Sequence, residues 1–521
     1  MEIFDLIVKI VLLVIFFGVM VGVGLYCRKH STDVSGFVLG GRNVGPWLTA
    51  FAYGTSYFSA VVFVGYAGQF GWKYGIAATW AGIANAFLGS LLAWAVLGRR
   101  TRIMTQHLNS ATMPQFFDAR FESPGLKLFS SAVIFIFLIP YTASLYNGLS
   151  RLFGMAFNID YSICVIVMAV LTGVYVIAGG YMATAMNDFI QGIIMLFGIV
   201  AVVAAVLKSQ GGFLPALGAL SRVTDETVSS SPGVFASFFG PDPLNLLGVM
   251  ILTSLGTWGL PQMVQMFYAI KSEKAIIKGM VISTVFATVV AGGCYFLGGF
   301  GRLFSDKVDV AKDGFDAVIP AMLSGLPAIL IALVVILVLS ASMSTLSSLV
   351  LTSSSTLTLD FIKGSLKKNM SEKGQLFTMR LLIAVFIAIS AVIAILQYRA
   401  NVTFIAQLMG VSWGALAGAF LAPFLFGLYW KRTTKLSCAV NFLFSTVVML
   451  LNIFFRPYFP QLLQSPINAG AFCMLAGFII VPLVSLLSRA PAKEKVASIF
   501  SCYDRKVTVA VTDSIGAGDE E

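Results

Sequence analysis

Charge is what this 521-residue chain has least of. Asp, Glu, Lys and Arg make up 11% of it, where an ordinary soluble domain carries about 25%. So few charges cannot cover the surface of a water-soluble chain this long, which excludes a cytosolic enzyme and a disordered chain. Histidine is nearly missing. The two present, His30 and His107, fall in polar connections, so chemistry that needs an imidazole inside an apolar run has no candidate. Six cysteines (Cys27, Cys164, Cys294, Cys438, Cys473, Cys502) are scattered without a CxxC pair, which speaks against a disulfide framework or a structural zinc. With no Ser–His, His–carboxylate or metal-ligand constellation in sight, the chain is not expected to be an enzyme.

What is there is apolar. Hydrophobic residues make up 58% of the chain, and the mean hydropathy is +0.90. A membrane-spanning helix takes about 20 apolar residues. Runs at 7–26, 46–71, 76–98, 127–156, 161–178, 184–207, 244–270, 276–300, 327–360, 375–397, 402–430, 437–455 and 467–488 predict thirteen spans, an all-α polytopic membrane protein. The first run follows Glu2 and Asp5 rather than a basic stretch, so it reads as a retained helix and not a signal peptide. Thirteen spans put the termini on opposite sides. Lys and Arg crowd into one set of connections, with Arg28, Arg42, Arg99, Arg100, Arg102, Lys363, Lys373, Arg380, Lys431 and Arg432 among them, and into the segment after Arg489. Cytoplasmic loops carry such an excess. The expectation is a cell-membrane protein with its N-terminus outside and its C-terminal tail in the cytoplasm. The net charge of +11 then faces the anionic inner leaflet; the lipid bilayer is the expected partner, not nucleic acid, and no obligatory protein partner is evident. The tail is polar and reads as solvated.

Two spans are poor continuous helices. The second runs Gly45-Pro46 and then, near mid-span, Gly54-Thr55-Ser56-Tyr57-Phe58-Ser59. The seventh carries Gly256-Thr257-Trp258-Gly259-Leu260-Pro261-Gln262. Glycine and proline there should interrupt the hydrogen-bond ladder. Carbonyls freed at membrane depth need protein, water or an ion. Interrupted spans at matching positions of two halves point to an inverted-repeat transporter with its site near the midplane; the plainer reading is that glycines let helices pack closely.

Among the acidic residues, Asp188 alone reads as lying inside an apolar span. An intramembrane carboxylate costs about 2.5–3.5 kcal/mol and is a functional-site candidate by default. The alternative is a cap at the start of a helix. In the ninth span, Ser344, Ser347 and Ser348 stand at i, i+3 and i+4 and share a face, with Thr345 beside them. Hydroxyls, a carboxylate and free carbonyls are hard oxygen ligands that suit a small hard cation, although Ser and Thr also bond back to their own helix.

These residues carry a resemblance. Gly179-Gly180 with Asn187-Asp188-Phe189-Ile190-Gln191-Gly192, then Ser342 to Ser348, then Leu428-Tyr429-Trp430-Lys431-Arg432 resemble, in order, the signature of the sodium:solute symporter family over about residues 5–490. Thr55 to Ala60 with Gly259-Leu260-Pro261 is most similar to its sodium/pantothenate branch; the proline symporters carry an Asp where Tyr57 stands. The resemblance implies the leucine-transporter-type five-plus-five inverted repeat with helices 2 and 7 broken. Residues 45–208 (spans 2–6) and 244–432 (spans 7–11) form the repeats around an external loop, 209–243. The first helix (1–28) and spans 12–13 (437–488) are accessory, and 489–521 is the cytoplasmic tail. It implies a sodium site made by the carbonyls of Thr55, Phe58 and Ala341 and the hydroxyls of Ser344 and Thr345, and a second sodium position at Asp188, Ser344, Ser347 and Ser348. Tyr57 and Ser59 would face the substrate cavity. Tyr141, Asn147, Trp258, Gln262 and Gln407 join them as polar or aromatic groups near the breaks. The expected function is sodium-coupled import, by alternating access, of a small organic solute, carboxylate-bearing like pantothenate, with sodium co-transported. A proline or monocarboxylate symporter of the same family is the alternative, and a membrane sensor using the fold is the alternative from another class.

Overall fold

The structure, a computed structural model, describes residues 2–28, 32–157, 159–229, 231–366, 369–400 and 405–504. His30 and residues 505–521 of the expected tail lie outside them. The described residues are helical apart from turns, loops and two isolated β-bridges, Val44 with Ile270 and Asp225 with Ser229.

Among the described residues, ten helices are long and apolar enough to cross a membrane, and Pro243–Gly259 with Pro261–Ala269 makes an eleventh, bent by 45°. Two of the ten, Val61–His107 and Tyr161–Ser209, run for 47 and 49 residues. At 1.5 Å per residue each would measure about 70 Å, against a hydrocarbon core of about 30 Å. Each also holds a glycine in the left-handed region, Gly75 (φ +62) and Gly180 (φ +55). A side chain could not stand at either: a Cβ on Gly180 would lie 2.7 Å from the Phe37 carbonyl oxygen, and one on Gly75 would run into Phe235. Dividing both helices there gives spans 2 and 3 from the first, with Pro46–Tyr57 supplying the start of span 2, and spans 5 (161–179) and 6 (181–209) from the second. Among the described residues the two divisions raise the eleven candidate spans to thirteen, the number the hydropathy pattern implies.

Span 9 (Ala328–Thr356) and span 11 (Ile405–Tyr429) lie at the centre, with 72% and 83% of their most apolar windows buried inside the protein, against 22% for span 1 (Glu2–Cys27). Span 9 packs against spans 1, 2, 4 (Pro124–Phe157), 5–6 and 10 (Glu372–Ala400). Its run of serines and threonines is therefore surrounded by protein rather than lipid.

The break in span 2 is built locally. The first half ends at Tyr57, and Phe58 is extended (φ −97, ψ 101). Ser59 then starts the second half. Its side chain accepts from the Val61 N–H at 3.2 Å, and its carbonyl accepts from Val62 and Phe63 at 3.0 Å, the work of an N-cap residue. In span 7, Leu260 is extended (φ −75, ψ 122), as a residue before proline prefers, and Pro261 opens the next helix, where its missing N–H costs nothing.

On one face of the bundle the segment 209–243 is held by Arg302 at the end of span 8 (Glu273–Gly298). Arg302 donates to the Trp72 carbonyl at 2.6 Å, pairs with Asp225 at 2.9 Å and lies 3.8 Å from the Phe235 ring centroid. The tail departs from the expectation of a solvated segment. Lys493–Phe500 is a helix with Val496, Ile499 and Phe500 buried, and the Tyr503 hydroxyl donates to the Leu428 carbonyl at 2.8 Å. Its polar average conceals an apolar face at i, i+3 and i+4.

Candidate functional site

Where helix 2 stops, its carbonyls lose their donors. The last helical bond runs from the Phe58 N–H to the Gly54 carbonyl at 3.1 Å, so the carbonyls from Thr55 onward are the orphans of a helix end. Span 9 lies against them. The Ser344 hydroxyl is 3.2 Å from the carbonyl oxygens of both Thr55 and Ala341. The Thr345 hydroxyl is 3.2 Å from Thr55 O, 3.3 Å from Ser56 O and 3.1 Å from Ala341 O. The Thr55 side chain takes no part, because its hydroxyl donates back to Phe51 O at 2.8 Å. Phe58 stands at the break itself. A further hydroxyl pair, Ser56 and Ser348, meets at 2.6 Å, while Ser347 donates to Ser344 O at 2.8 Å. All of these groups are buried. The result is a close-set group of neutral oxygens from two helices, without nitrogen or sulfur. Among the described residues no set of three His, Cys, Asp or Glu side chains could hold a metal; a cation here would rest on neutral oxygens and one carboxylate.

That carboxylate is Asp188. It is fully buried, and neither oxygen has a hydrogen-bond partner. The capping alternative does not describe it: span 6 begins just after Gly180, and Asp188 lies two turns inside. One turn further on, Gly192 packs on span 2, where a Cβ would come within 3.0 Å of Thr55 Cγ2. Residues four apart share a helix face, so Asp188 lies on the face turned to the Thr55 segment. The Tyr175 hydroxyl, which donates to Met343 O at 3.0 Å, lies beside both Ser347 and Asp188. A buried, unpaired carboxylate is costly, and either a proton or a bound cation would relieve the cost.

A second group of side chains surrounds the break. Tyr57 stacks on Trp413 with ring centroids 5.7 Å apart and 26° between planes, and its hydroxyl donates to Thr253 O. Tyr141 meets Trp413 edge-on at 5.9 Å and turns its hydroxyl toward Ser59. The Tyr66 hydroxyl is buried without a hydrogen-bond partner, and the hydroxyls of Tyr141, beside Ser59 and Trp413, and of Tyr295, beside Asn85 and Thr253, close no short hydrogen bond. The Asn85 oxygen accepts from Thr253 at 2.9 Å and Ser254 at 3.0 Å. Loosely paired hydroxyl, indole and amide groups gathered near one break could be completed by a polar solute. Three turns or so along span 2, Gln69 and Lys73 line a cavity of about 1180 Å³ with Asp242, Arg302 and Asn468.

Of the residues read from the sequence, Tyr57, Ser59 and Tyr141 come together. Trp258 is fastened to span 3, donating from its indole to Leu88 O at 2.9 Å. Gln262 is buried in the second half of span 7 with both amide atoms unpartnered. Asn147 and Gln407 engage groups outside this cluster. Asn147 accepts from Tyr161. Gln407 accepts from Arg456 at 3.4 Å and lines a separate cavity beside Pro140 and Leu450. Sequence reasoning missed Tyr66, Asn85, Thr253, Tyr295 and Trp413. Only Trp413, set in the small-residue run Gly410-Val411-Ser412-Trp413-Gly414, carried a visible signal.

A broken helix facing a hydroxyl-bearing one in an all-helical membrane protein finds its counterpart in one family model, that of the sodium:solute symporter family, which matches residues 37–440. The chain belongs to this family. Sodium is the ion its members couple to. The osmoregulated proline transporter OpuE of Bacillus subtilis is 28% identical over 512 residues, which cover 93% of this chain and 96% of that protein. A sodium/proline symporter of Staphylococcus aureus is 28% identical over 486 residues, 91% of each. These relatives are named for proline; the likeness to the pantothenate branch finds no support among them. In fold the chain is similar to a Na+-coupled sialic acid symporter in its substrate-bound outward-open state (TM-score 0.72, 16% identity, covering 93% of this chain and 99% of that one). It is also similar to Mhp1, a nucleobase-cation-symport-1 family transporter (TM-score 0.52, 13% identity, 89% and 97%). The long apolar helices and the two breaks thus belong to a transporter fold.

Proposed function

We propose that this protein is a sodium-coupled symporter that imports a small organic solute across the cell membrane by alternating access. The observation that carries the reading is the meeting of the Thr55 carbonyl with the Ser344 and Thr345 hydroxyls across two helices. On this reading sodium binds among the carbonyls of Thr55, Phe58 and Ala341 and the hydroxyls of Ser344 and Thr345. A second sodium binds at Asp188 with Ser344, Ser347 and Ser348. The solute takes up the polar groups around Tyr57, Ser59, Tyr141 and Trp413. Sodium ties the broken span to span 9 and favours the state open to the outside, a shift driven by its differential affinity for the two states. Solute binding closes the outer side, and the repeats, 45–208 and 244–432, rock to release both inside. The N-terminus lies outside and the tail in the cytoplasm, following the basic residues.

The driving force is adequate. A charge crossing 100 mV gains about 2.3 kcal/mol, and about 1.4 kcal/mol is tenfold. One sodium gives roughly 40-fold accumulation from voltage alone, and two give over a thousandfold.

Proline is the first solute to test, because relatives spanning nine-tenths of this chain are named for it. Tyr57 favours a second candidate. A phenol stands where the resemblance puts an acid in proline symporters, and the groups around it are neutral, so a carboxylate without an ammonium group, such as pantothenate or a monocarboxylate, also fits. Uptake into proteoliposomes of labelled proline, pantothenate and monocarboxylates, with an inward sodium gradient against potassium, tests both. Accumulation that requires sodium supports the coupling, and the solute that accumulates decides the class. Transport of every solute at the same rate in potassium would overturn the reading.

A further inference from the structure

The lipid-facing surface between spans 5 and 10 is hollow. Ala169, Gly173, Ala384 and Ala388 keep the two helices' walls low, leaving a groove of about 810 Å³. The helices touch at its floor, where a Cβ on Gly173 would meet Ile387 at 3.5 Å. The walls are apolar along their length and no acidic residue lines them. At one end stand two guanidinium groups, Arg28 and Arg380, close enough for their charges to oppose each other. The Arg380 Nε is buried without a hydrogen-bond partner, and its guanidinium lies 5.5 Å from the centroid of the Phe37 ring. Two cations at the mouth of an apolar groove call for an anion that carries a hydrocarbon chain.

The dimensions agree. From Arg380 to Ile395 the groove follows span 10 for about 22 Å at 1.5 Å per residue. One leaflet of a hydrocarbon core of about 30 Å is about 15 Å deep, so the groove holds an acyl chain of that leaflet along its whole length. Guanidinium groups match phosphate oxygens bidentately, and basic pockets between membrane helices bind anionic headgroups. Both arginines belong to the connections that carry the basic excess.

We propose that this groove is a binding site for an anionic phospholipid of the leaflet in which Arg28 and Arg380 lie, with its phosphate between the two guanidinium groups and one acyl chain in the hollow beside Ala388. The site is separate from the sodium and solute positions and does not depend on them.

The full-length protein is reconstituted in nanodiscs containing equal phosphatidylglycerol and phosphatidylcholine, and the lipid it retains is read by native mass spectrometry. Two cations near the surface should give an about 25-fold preference for phosphatidylglycerol. The Arg28→Gln/Arg380→Gln double variant should lose the preference and the Arg28→Lys/Arg380→Lys variant should keep most of it. Ala388→Phe, which fills the hollow and leaves the charges, should reduce retention of either lipid. Equal retention of both lipids by the unaltered protein would overturn the proposal, as would an undiminished preference in the Gln variant. If the Gln variant fails to fold, the preference of the unaltered protein and the reduced retention of both lipids by Ala388→Phe decide the matter; an absent preference or undiminished retention would overturn the proposal.

Discussion

Replacing Thr345 by Val removes one hydroxyl and little else. The side chain is buried in the middle of span 9 and keeps nearly the same shape. What it loses is an oxygen that lies within 3.3 Å of three carbonyls, Thr55, Ser56 and Ala341. Two of these belong to the end of the broken helix, where no helical N–H replaces the lost partner. A bound ion would lose one oxygen ligand, a loss on the scale of a buried polar contact at about 1–3 kcal/mol, and about 1.4 kcal/mol is tenfold. If Thr345 is a sodium ligand, the sodium concentration for half-maximal uptake should rise by roughly 5- to 150-fold, with the maximal rate recoverable at high sodium. Thr345→Ser, which restores the hydroxyl, should return to within a few-fold of the unaltered protein. The measurement is initial uptake into proteoliposomes against external sodium at fixed ionic strength, together with the sodium-dependent rise in melting temperature of the purified protein. The melting shift separates loss of an ion ligand from loss of solute. A Val variant with unchanged half-saturating sodium and an unchanged sodium-dependent melting shift would refute the assignment.

Asp188→Asn removes the buried unpaired charge while keeping the shape. It should raise the half-saturating sodium concentration and reduce the number of sodium ions moved per solute, read from the voltage dependence of uptake; identical values in both measurements would remove Asp188 from ion binding. Trp413→Ala deletes the ring that stacks on Tyr57 and meets Tyr141. Aromatic pairs contribute about 0.5–1.5 kcal/mol beyond their buried area, so the solute concentration for half-maximal uptake should rise several-fold or more at saturating sodium, and a rise confined to sodium would place Trp413 elsewhere. Thr227 and then Arg302 hold the Asp225 carboxyl below its usual range. A lowered folded-state pKa gives stabilisation that is complete above the ordinary value of about 3.9 and is lost as pH falls through the folded value. Hydrogen exchange in residues 221–236 should therefore stay slow from neutral pH down to about 4 and quicken only in stronger acid; quickening near pH 6 would show that another group holds the segment.

The breaks were legible because they are written locally. Pro261 cannot continue a helix, and Ser59 is placed to start one, so each interruption is visible within a few residues. The serine face of span 9 was legible for the same reason, since helical spacing puts Ser344, Ser347 and Ser348 on one side whatever surrounds them. The solute-facing residues were not. A span that is apolar all round has no polar face to betray its rotation, so a tyrosine or an amide reads the same whether it faces a chamber or a neighbour. Asn147 turned out to face Tyr161, and Gln407 Arg456, while Tyr66 and Tyr295 gather with Tyr141, Asn85 and Thr253. Their common destination depends on how several spans pack, which no single segment records. The docked tail was hidden differently: three apolar side chains in a short polar stretch are too few to move a composition average, yet they suffice to bury one face.

The placement of ligands along span 2 bears on why ion and solute would move together. Thr55 offers its carbonyl to the Ser344 and Thr345 hydroxyls, and two residues later Tyr57 stacks on Trp413. Two residues beyond that, Ser59 caps the second half and faces Tyr141. On the proposed reading, ion and solute therefore bind to the same five residues, the last turn of the first half-helix and the break that follows it. A peptide segment with only a few free dihedrals cannot be set for one ligand independently of the other. An ion that holds the Thr55 carbonyl toward span 9 thereby sets where the Tyr57 ring and the Ser59 hydroxyl stand, and a solute that engages those groups holds the carbonyl in turn. Such coupling is reciprocal by thermodynamic necessity. Sodium should lower the solute dissociation constant by the same factor by which the solute lowers that of sodium, and both factors should shrink together in Thr345→Val. Equilibrium binding of each ligand at several concentrations of the other measures the two factors. If the factor fell for one ligand and not for the other, the two would not be acting through this segment.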